Sequence, residues 1–214
     1  MKLQSNSFKQ GDPIPSVFAM GRKDGDADTF SDNRNPHLAW SDVPAGTRSF
    51  VLLCIDPDAP TVAEMVGRPD VEIPVDQPRT DFIHCAMADI SGDVREIADG
   101  AWSNGVSVRG KHEPQGPHGA RHGLNDYTHW FSGDATMGGD YQGYDGPFPP
   151  SNDLRMHRYF FRLFALDVAS LDLPARFTAK DVLRAVQGHV LAEALTYGTY
   201  SLHRRRVPDS DAVA

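Results

Sequence analysis

Proline and glycine set the terms on which this chain can fold. Sixteen prolines and nineteen glycines recur through its 214 residues. Each proline fixes φ and removes a backbone donor, and each glycine permits a tight turn. That is more punctuation than a helical bundle carries, and it predicts a turn-rich β or α+β protein. The length suits one domain with a sizeable core, spanning residues 1–214.

Apolar content of 40% and charged content of 23% are ordinary globular values. The formal net charge of −8 argues against non-specific nucleic-acid binding, which needs Lys and Arg to neutralise phosphates. The one dense basic run, His203-Arg204-Arg205-Arg206, reads as the start of a solvated C-terminal tail, about 204–214. Cys54 and Cys85 each lie in an apolar run and read as buried, reduced thiols. Residues 1–11 show no apolar leader, and no stretch reaches the roughly 18 apolar residues of a membrane span. A cytoplasmic protein with no membrane span is expected.

Phe50-Val51-Leu52-Leu53-Cys54-Ile55 is a continuous apolar run bounded by turn signals, as in a strand buried on both faces. It ends abruptly in Asp56-Pro57-Asp58-Ala59-Pro60. Residues 81–90 form a second interior strand, with Phe82, His84, Ala86, Ala88 and Ile90 expected on one face and Ile83, Cys85 and Met87 on the other. Residues 99–153 are rich in Gly, His, Asp and Pro and read as an elaborated loop that includes a functional site. A third strand runs from His157 to Val168, with His157, Tyr159, Phe161, Leu163 and Ala165 on one face. An apolar stripe at helical spacing predicts a helix over 179–197, with Thr178 and Asp181 as a capping box and Gly198 as the stop.

Asp56 and Asp58 at the end of a buried strand are costly unless hydrogen-bonded or paired. Taken singly they suit a turn that caps backbone N–H groups, and His84 or His157 alone suits a satisfied core histidine. Their order along the chain adds information. Ala39-Trp40-Ser41 with Val43-Pro44-Ala45-Gly46-Thr47, then Asp56-Pro57-Asp58-Ala59-Pro60, then the strand around His84, then Tyr144-x-Gly146-Pro147-x-Pro149-Pro150 followed by His157-Arg158-Tyr159, together resemble the phosphatidylethanolamine-binding proteins, also called Raf kinase inhibitor-like proteins, in their bacterial branch. The match spans about residues 11–203.

The resemblance implies a mainly β fold, sandwich-like, of two packed antiparallel sheets with a few peripheral helices. It implies a pocket for phosphate, acetate or a phospholipid head group on Asp56, Asp58, His84, Tyr144, Gly146, Pro147, Pro149, Pro150, His157 and Tyr159, and a cis bond before Pro60. It allows a homodimer, and a kinase or protease as protein partner. The chemistry is coherent: protonated His84 and His157 and the Tyr144 hydroxyl can donate to an anion, and Asp56 can orient a histidine.

The chain departs from the family in lacking a tryptophan beside His84 and in a long segment, 110–143, that holds His112, His118, His122 and His129. Their spacings match no metal motif, so no metal or other cofactor is expected. Tyr127, Trp130, Phe131 and Tyr141 are placed to fold this segment over the pocket. The leading expectation is a binding protein for a small anionic or phosphorylated ligand. The alternative is a hydrolase using a histidine with Asp56 as acid–base pair. The chain shows neither G-x-S-x-G nor H-E-x-x-H, and Cys85 is expected on the face opposite His84, so an activated nucleophile is missing from view.

Overall fold

The structure is a computed structural model that describes residues 1–205 apart from 115, 117 and 118. His118 and most of the expected tail lie outside the described residues.

The apolar runs become long central strands. A five-stranded antiparallel sheet has the order β10 (Val190–Tyr200), β9 (His157–Leu166), β5 (Ser49–Pro60), β6 (Arg79–Ser91), β8 (Arg121–His122). Facing it is a three-stranded antiparallel sheet of β1 (Lys2–Gln4), β4 (Leu38–Ser41) and β7 (Glu96–Ile97). A hairpin of β2 (Gly21–Asp24) and β3 (Ala27–Phe30) stands beside them. The inner faces meet in one core, where Leu3, Leu38, Trp40 and Ile97 of the small sheet pack on Phe50, Leu52, Cys85, Met87, Phe161 and Leu163 of the large one. The outer face of the large sheet, with Val51, Leu53, Phe164 and Leu166, is covered by Leu171, Phe177, Val182 and Val186. β5 is buried on both faces, which explains its unbroken apolar run. The mainly β, two-sheet architecture with peripheral helices is the expected one. No helix among the described residues is long and apolar enough to cross a membrane.

Three expectations change. The helix predicted over 179–197 is only α2, Ala179–Ala185, although its Thr178–Asp181 capping box forms as read. Gly188, at φ +83°, turns the chain, and the remaining residues pair with β9 as strand β10. The stripe misled because β10 inverts the usual alternation: Ala194, Thr196 and Gly198 point inward, while Leu191 and Leu195 are 41% and 45% exposed. Small inward residues are required, since a Cβ on Gly198 would lie 2.5 Å from Ile14 Cγ1.

The faces of β6 also differ. Cys54 pairs with Cys85 and Ile55 with Ile83, so His84 is an extra residue in a β-bulge. A second irregularity falls at Asp89, whose φ is +61°. Ile83, Ala86 and Ala88 therefore face outward, and Cys85, Met87 and Ile90 inward. Finally, the described peptide bonds are all trans, including that before Pro60.

Candidate functional site

The bulge in β6 swings His84 to the inner side of the sheet, where its ring meets Tyr159 of β9 edge-on at 5.1 Å between centroids. Cys85 takes the same side, contrary to the expectation from strict alternation. Burial raises its thiol pKa, so it stays protonated. Opposite the bulge, Pro57 cannot donate to the ladder, and β5 has its own irregularity between Asp56 and Ala59. These two interruptions open the sheet end into a cavity of about 710 Å³. Asp56, His84, His157 and Tyr159 are its buried floor, each no more than 3% exposed, and Pro149 and Pro150 form one wall. The helix α1 (Tyr127–Trp130) and Phe131 form the other wall. Tyr141 packs behind Tyr127 and Phe131 rather than lining the space.

Four of the ten residues implied by the resemblance lie behind this surface. Asp58 is fully buried and takes a forked pair of bonds from Arg158, Nε at 2.7 Å and Nη2 at 2.9 Å, and one from Arg155 Nε at 2.6 Å. Burial alone would raise its pKa, but these guanidinium bonds outweigh it and hold the carboxyl below its usual range. Its work is to tie β5 to β9. Tyr144 is stacked on Phe161, and its hydroxyl donates to the Phe18 carbonyl at 2.8 Å, so it has no proton to offer a ligand in the cavity. Gly146 donates to Asn33 Oδ1 and accepts from the Tyr127 hydroxyl. It must be glycine, because a Cβ there would lie 2.2 Å from the Phe18 carbonyl oxygen. The Pro147 carbonyl accepts from Met20 and Gly21.

The two floor histidines are in opposite states. Both nitrogens of His157 meet carboxylates, Nδ1 to Asp56 at 2.7 Å and Nε2 to Asp153 at 3.1 Å. Carboxylates only accept, so both nitrogens carry protons. Burial works against that charge, but the Asp56 carboxylate and the hydrogen bonds to Asp153 and Asp56 raise the pKa to about 9. His157 is thus a fixed imidazolium with no nitrogen left for a ligand. His84 Nδ1 donates to the Asp145 carbonyl at 2.7 Å, which leaves Nε2 of this cavity-lining residue without a partner among the described residues. Burial lowers the His84 pKa against the pull of Asp56 and of the Asp145 carbonyl bond, so the neutral ring presents a lone pair. The Tyr159 hydroxyl, 0% exposed as a residue, has no partner among the described residues either.

Sequence reasoning missed the supporting groups. Asp153 joins Arg79 to His157. Asp145 accepts from Asn33 and Asn125 at 2.8 Å each and pairs with Lys111. Asp153 stands four residues before His157, and Asp145 falls between Tyr144 and Gly146 at a position the resemblance left unspecified, signals that only a three-dimensional setting makes meaningful. Of the histidines in the long segment, His129 lines the cavity, whereas His122 is buried against Trp102, with burial driving its pKa down to about 4.

Residues 4–201 match the family model for phosphatidylethanolamine-binding proteins. The chain belongs to that family. It is 34% identical over 202 residues to a UPF0098 protein of Aquifex aeolicus, covering 94% of this chain and 88% of that one. It is 31% identical over 201 residues to the Escherichia coli UPF0098 protein YbhB, covering 94% of this chain and all of the relative. Among solved structures it resembles a phosphatidylethanolamine-binding protein homologue from Chlamydia trachomatis, with a TM-score of 0.61, 28% identity and coverage of 94% and 96%. The Escherichia coli family member YbcL shares the fold with a TM-score of 0.66. Membership in this family supports a ligand-binding role in general terms.

Proposed function

We propose that the chain binds a small ligand through an anionic group seated on the cavity floor, with phosphate or a phosphate monoester as the simplest occupant. One observation carries this reading: two buried polar groups, the Tyr159 hydroxyl and His84 Nε2, belong to residues that line one cavity and have no partner among the described residues. Buried polar groups without partners are rare and expensive. A phosphate offers an acceptor for the Tyr159 proton and, as a protonated monoanion, a donor for the neutral His84.

The charge behind the floor agrees. Asp56, Asp58 and Asp153 supply three negative charges, and Arg79, Arg155, Arg158 and the His157 imidazolium supply four positive ones, leaving one positive charge in excess. The mostly buried setting screens that excess less than water would.

Thermal unfolding tests the reading, because a ligand that binds only the folded state raises its stability. Inorganic phosphate is expected to raise the melting temperature of the wild type and to do so less for Tyr159→Phe. Equal effects on both proteins, or none on the wild type, would remove the floor as an anion site.

A further inference from the structure

Behind the floor lies a buried ionic knot whose cation comes from the long segment 110–143. The Asp145 carboxylate, in a residue 1% exposed, receives three donors: Asn33 Nδ2 and Asn125 Nδ2 at 2.8 Å each, and Lys111 Nζ at 2.5 Å. None of these nitrogens can accept, so a proton on Asp145 would face another N–H, and the carboxyl is held ionised. Lys111 is its one cation among the described residues, and the Lys111 side chain is itself only 11% exposed. A buried carboxylate held by amides alone would be driven to take up a proton. The chain is shaped to bring Lys111 there. Gly110 turns at φ +84°, where a Cβ would lie 2.1 Å from the Asp140 carbonyl oxygen, and the Lys111 carbonyl accepts from the Gln142 N–H at 3.2 Å.

The same aspartate grips His84 through its backbone. Its N–H donates to the His84 carbonyl at 3.0 Å, and its carbonyl accepts the His84 Nδ1 proton at 2.7 Å. Asn33 links this grip to the carboxylate. Its Nδ2 donates to Asp145 Oδ1, and its Oδ1 accepts at 2.8 Å from the Gly146 N–H, the other end of the peptide whose carbonyl holds His84. The only other bond on Asn33 Nδ2 among the described residues is a longer one, to the Gly105 carbonyl at 3.2 Å. A protonated Asp145 would itself be a donor, and the Asn33 amide would lose the acceptor that turns its oxygen towards Gly146.

We propose that Lys111 is a positioning residue for His84: through Asp145 and Asn33 it fixes the peptide that takes the Nδ1 proton, and so keeps Nε2 a bare acceptor. The lock stands without any ligand; only its consequence for phosphate rests on the anion reading. A ring released from the lock and protonated at Nε2 donates where the wild-type ring accepts. Phosphate binding should then move from the monoanion to the dianion, that is, to higher pH.

Long-range ¹H–¹⁵N correlation spectra of the histidine rings, recorded on the full chain without ligand, test the lock. Lys111→Met should lose the single Nδ1–H signature of His84 and show the Nε2–H form. Lys111→Arg, which keeps a cation, should restore the wild-type signature. Val182→Ala, in the core on the opposite face of the large sheet, controls for lost stability and should leave His84 as in the wild type. Lys111→Gln, uncharged but still a donor, is read in the same way should Lys111→Met not fold. The proposal is overturned if His84 keeps its signature in a folded Lys111→Met or Lys111→Gln protein, or if Val182→Ala disturbs the ring as much. It also falls if neither uncharged variant folds while Lys111→Arg does, since Lys111 is then structural alone. A wild type that ignores inorganic phosphate while His84 follows Lys111 sinks the anion reading and leaves the lock; phosphate binding with a ring indifferent to Lys111 does the reverse.

Discussion

Raising the pH through the titration of His157 should cost the protein stability, and replacing that histidine should abolish the effect. In the unfolded chain a histidine titrates near 6.5, whereas His157 titrates at about 9 when folded. A folded-state pKa above the unfolded one stabilises fully below about 6.5, and the contribution is lost as pH climbs through the folded value. The gap of about 2.5 units, at about 1.4 kcal/mol per unit, amounts to about 3 kcal/mol. That is a large share of the ~5–15 kcal/mol by which a domain is stable. The assay is urea unfolding of wild type and His157→Gln at constant ionic strength from about pH 6 to about pH 10, a window chosen to bracket both pKa values. Other groups titrate in this window, so the difference between the two proteins is the quantity to follow. Near pH 6 the substitution should cost about 3–5 kcal/mol, because it leaves Asp56 and Asp153 buried without their shared cation. That difference should shrink by about 3 kcal/mol towards the alkaline end. Parallel profiles would refute the reasoning and show that folding does not raise the His157 pKa.

Other consequences follow from the same geometry. Tyr159→Phe should weaken phosphate binding by about 2 kcal/mol, the worth of a hydrogen bond to a charged group, and barely change the melting temperature, since the hydroxyl has no partner among the described residues; calorimetry and a thermal melt together check both halves. Gly146→Ala should lower the melting temperature by several degrees, because its Cβ would meet the Phe18 carbonyl oxygen at 2.2 Å and the overpacking costs about 1–3 kcal/mol. On the acid side, Arg158→Ala should leave Asp58 buried beside a single guanidinium, and its unfolding midpoint should move to higher pH than that of the wild type, since the bonds that hold the Asp58 pKa down are then fewer.

Strands were legible where their residues obeyed a single rule. The β5 run and the alternation of β9 could be read directly, because both faces of one are covered and the inward positions of the other are large and apolar. The β10 strand was not legible: its bulky residues face out and its small ones face in, which mimics a helical stripe. Periodicity also failed at His84 and Asp89, since a bulge shifts every later side chain to the other face and leaves no mark in composition. The candidate site was half legible. The resemblance picked out Asp56, His84, His157, Tyr159 and the proline wall, which share the cavity. It did not distinguish residues that line the space from those that hold it, so Asp58 and Tyr144 stood beside them on equal terms. Asp153, Arg79 and Asp145 act only through partners far away in the chain, and no local spacing reports such pairs.

The floor of the cavity can be interrogated atom by atom with long-range ¹H–¹⁵N correlation spectra of the histidine rings during a titration with inorganic phosphate. Before phosphate, His84 should appear as the neutral Nδ1–H tautomer and His157 as an imidazolium near neutral pH. Added phosphate should move the His84 Nε2 resonance and raise the His84 pKa while leaving His157 in place. A His84 ring that ignores phosphate, or a phosphate response confined to other histidines, would contradict the account.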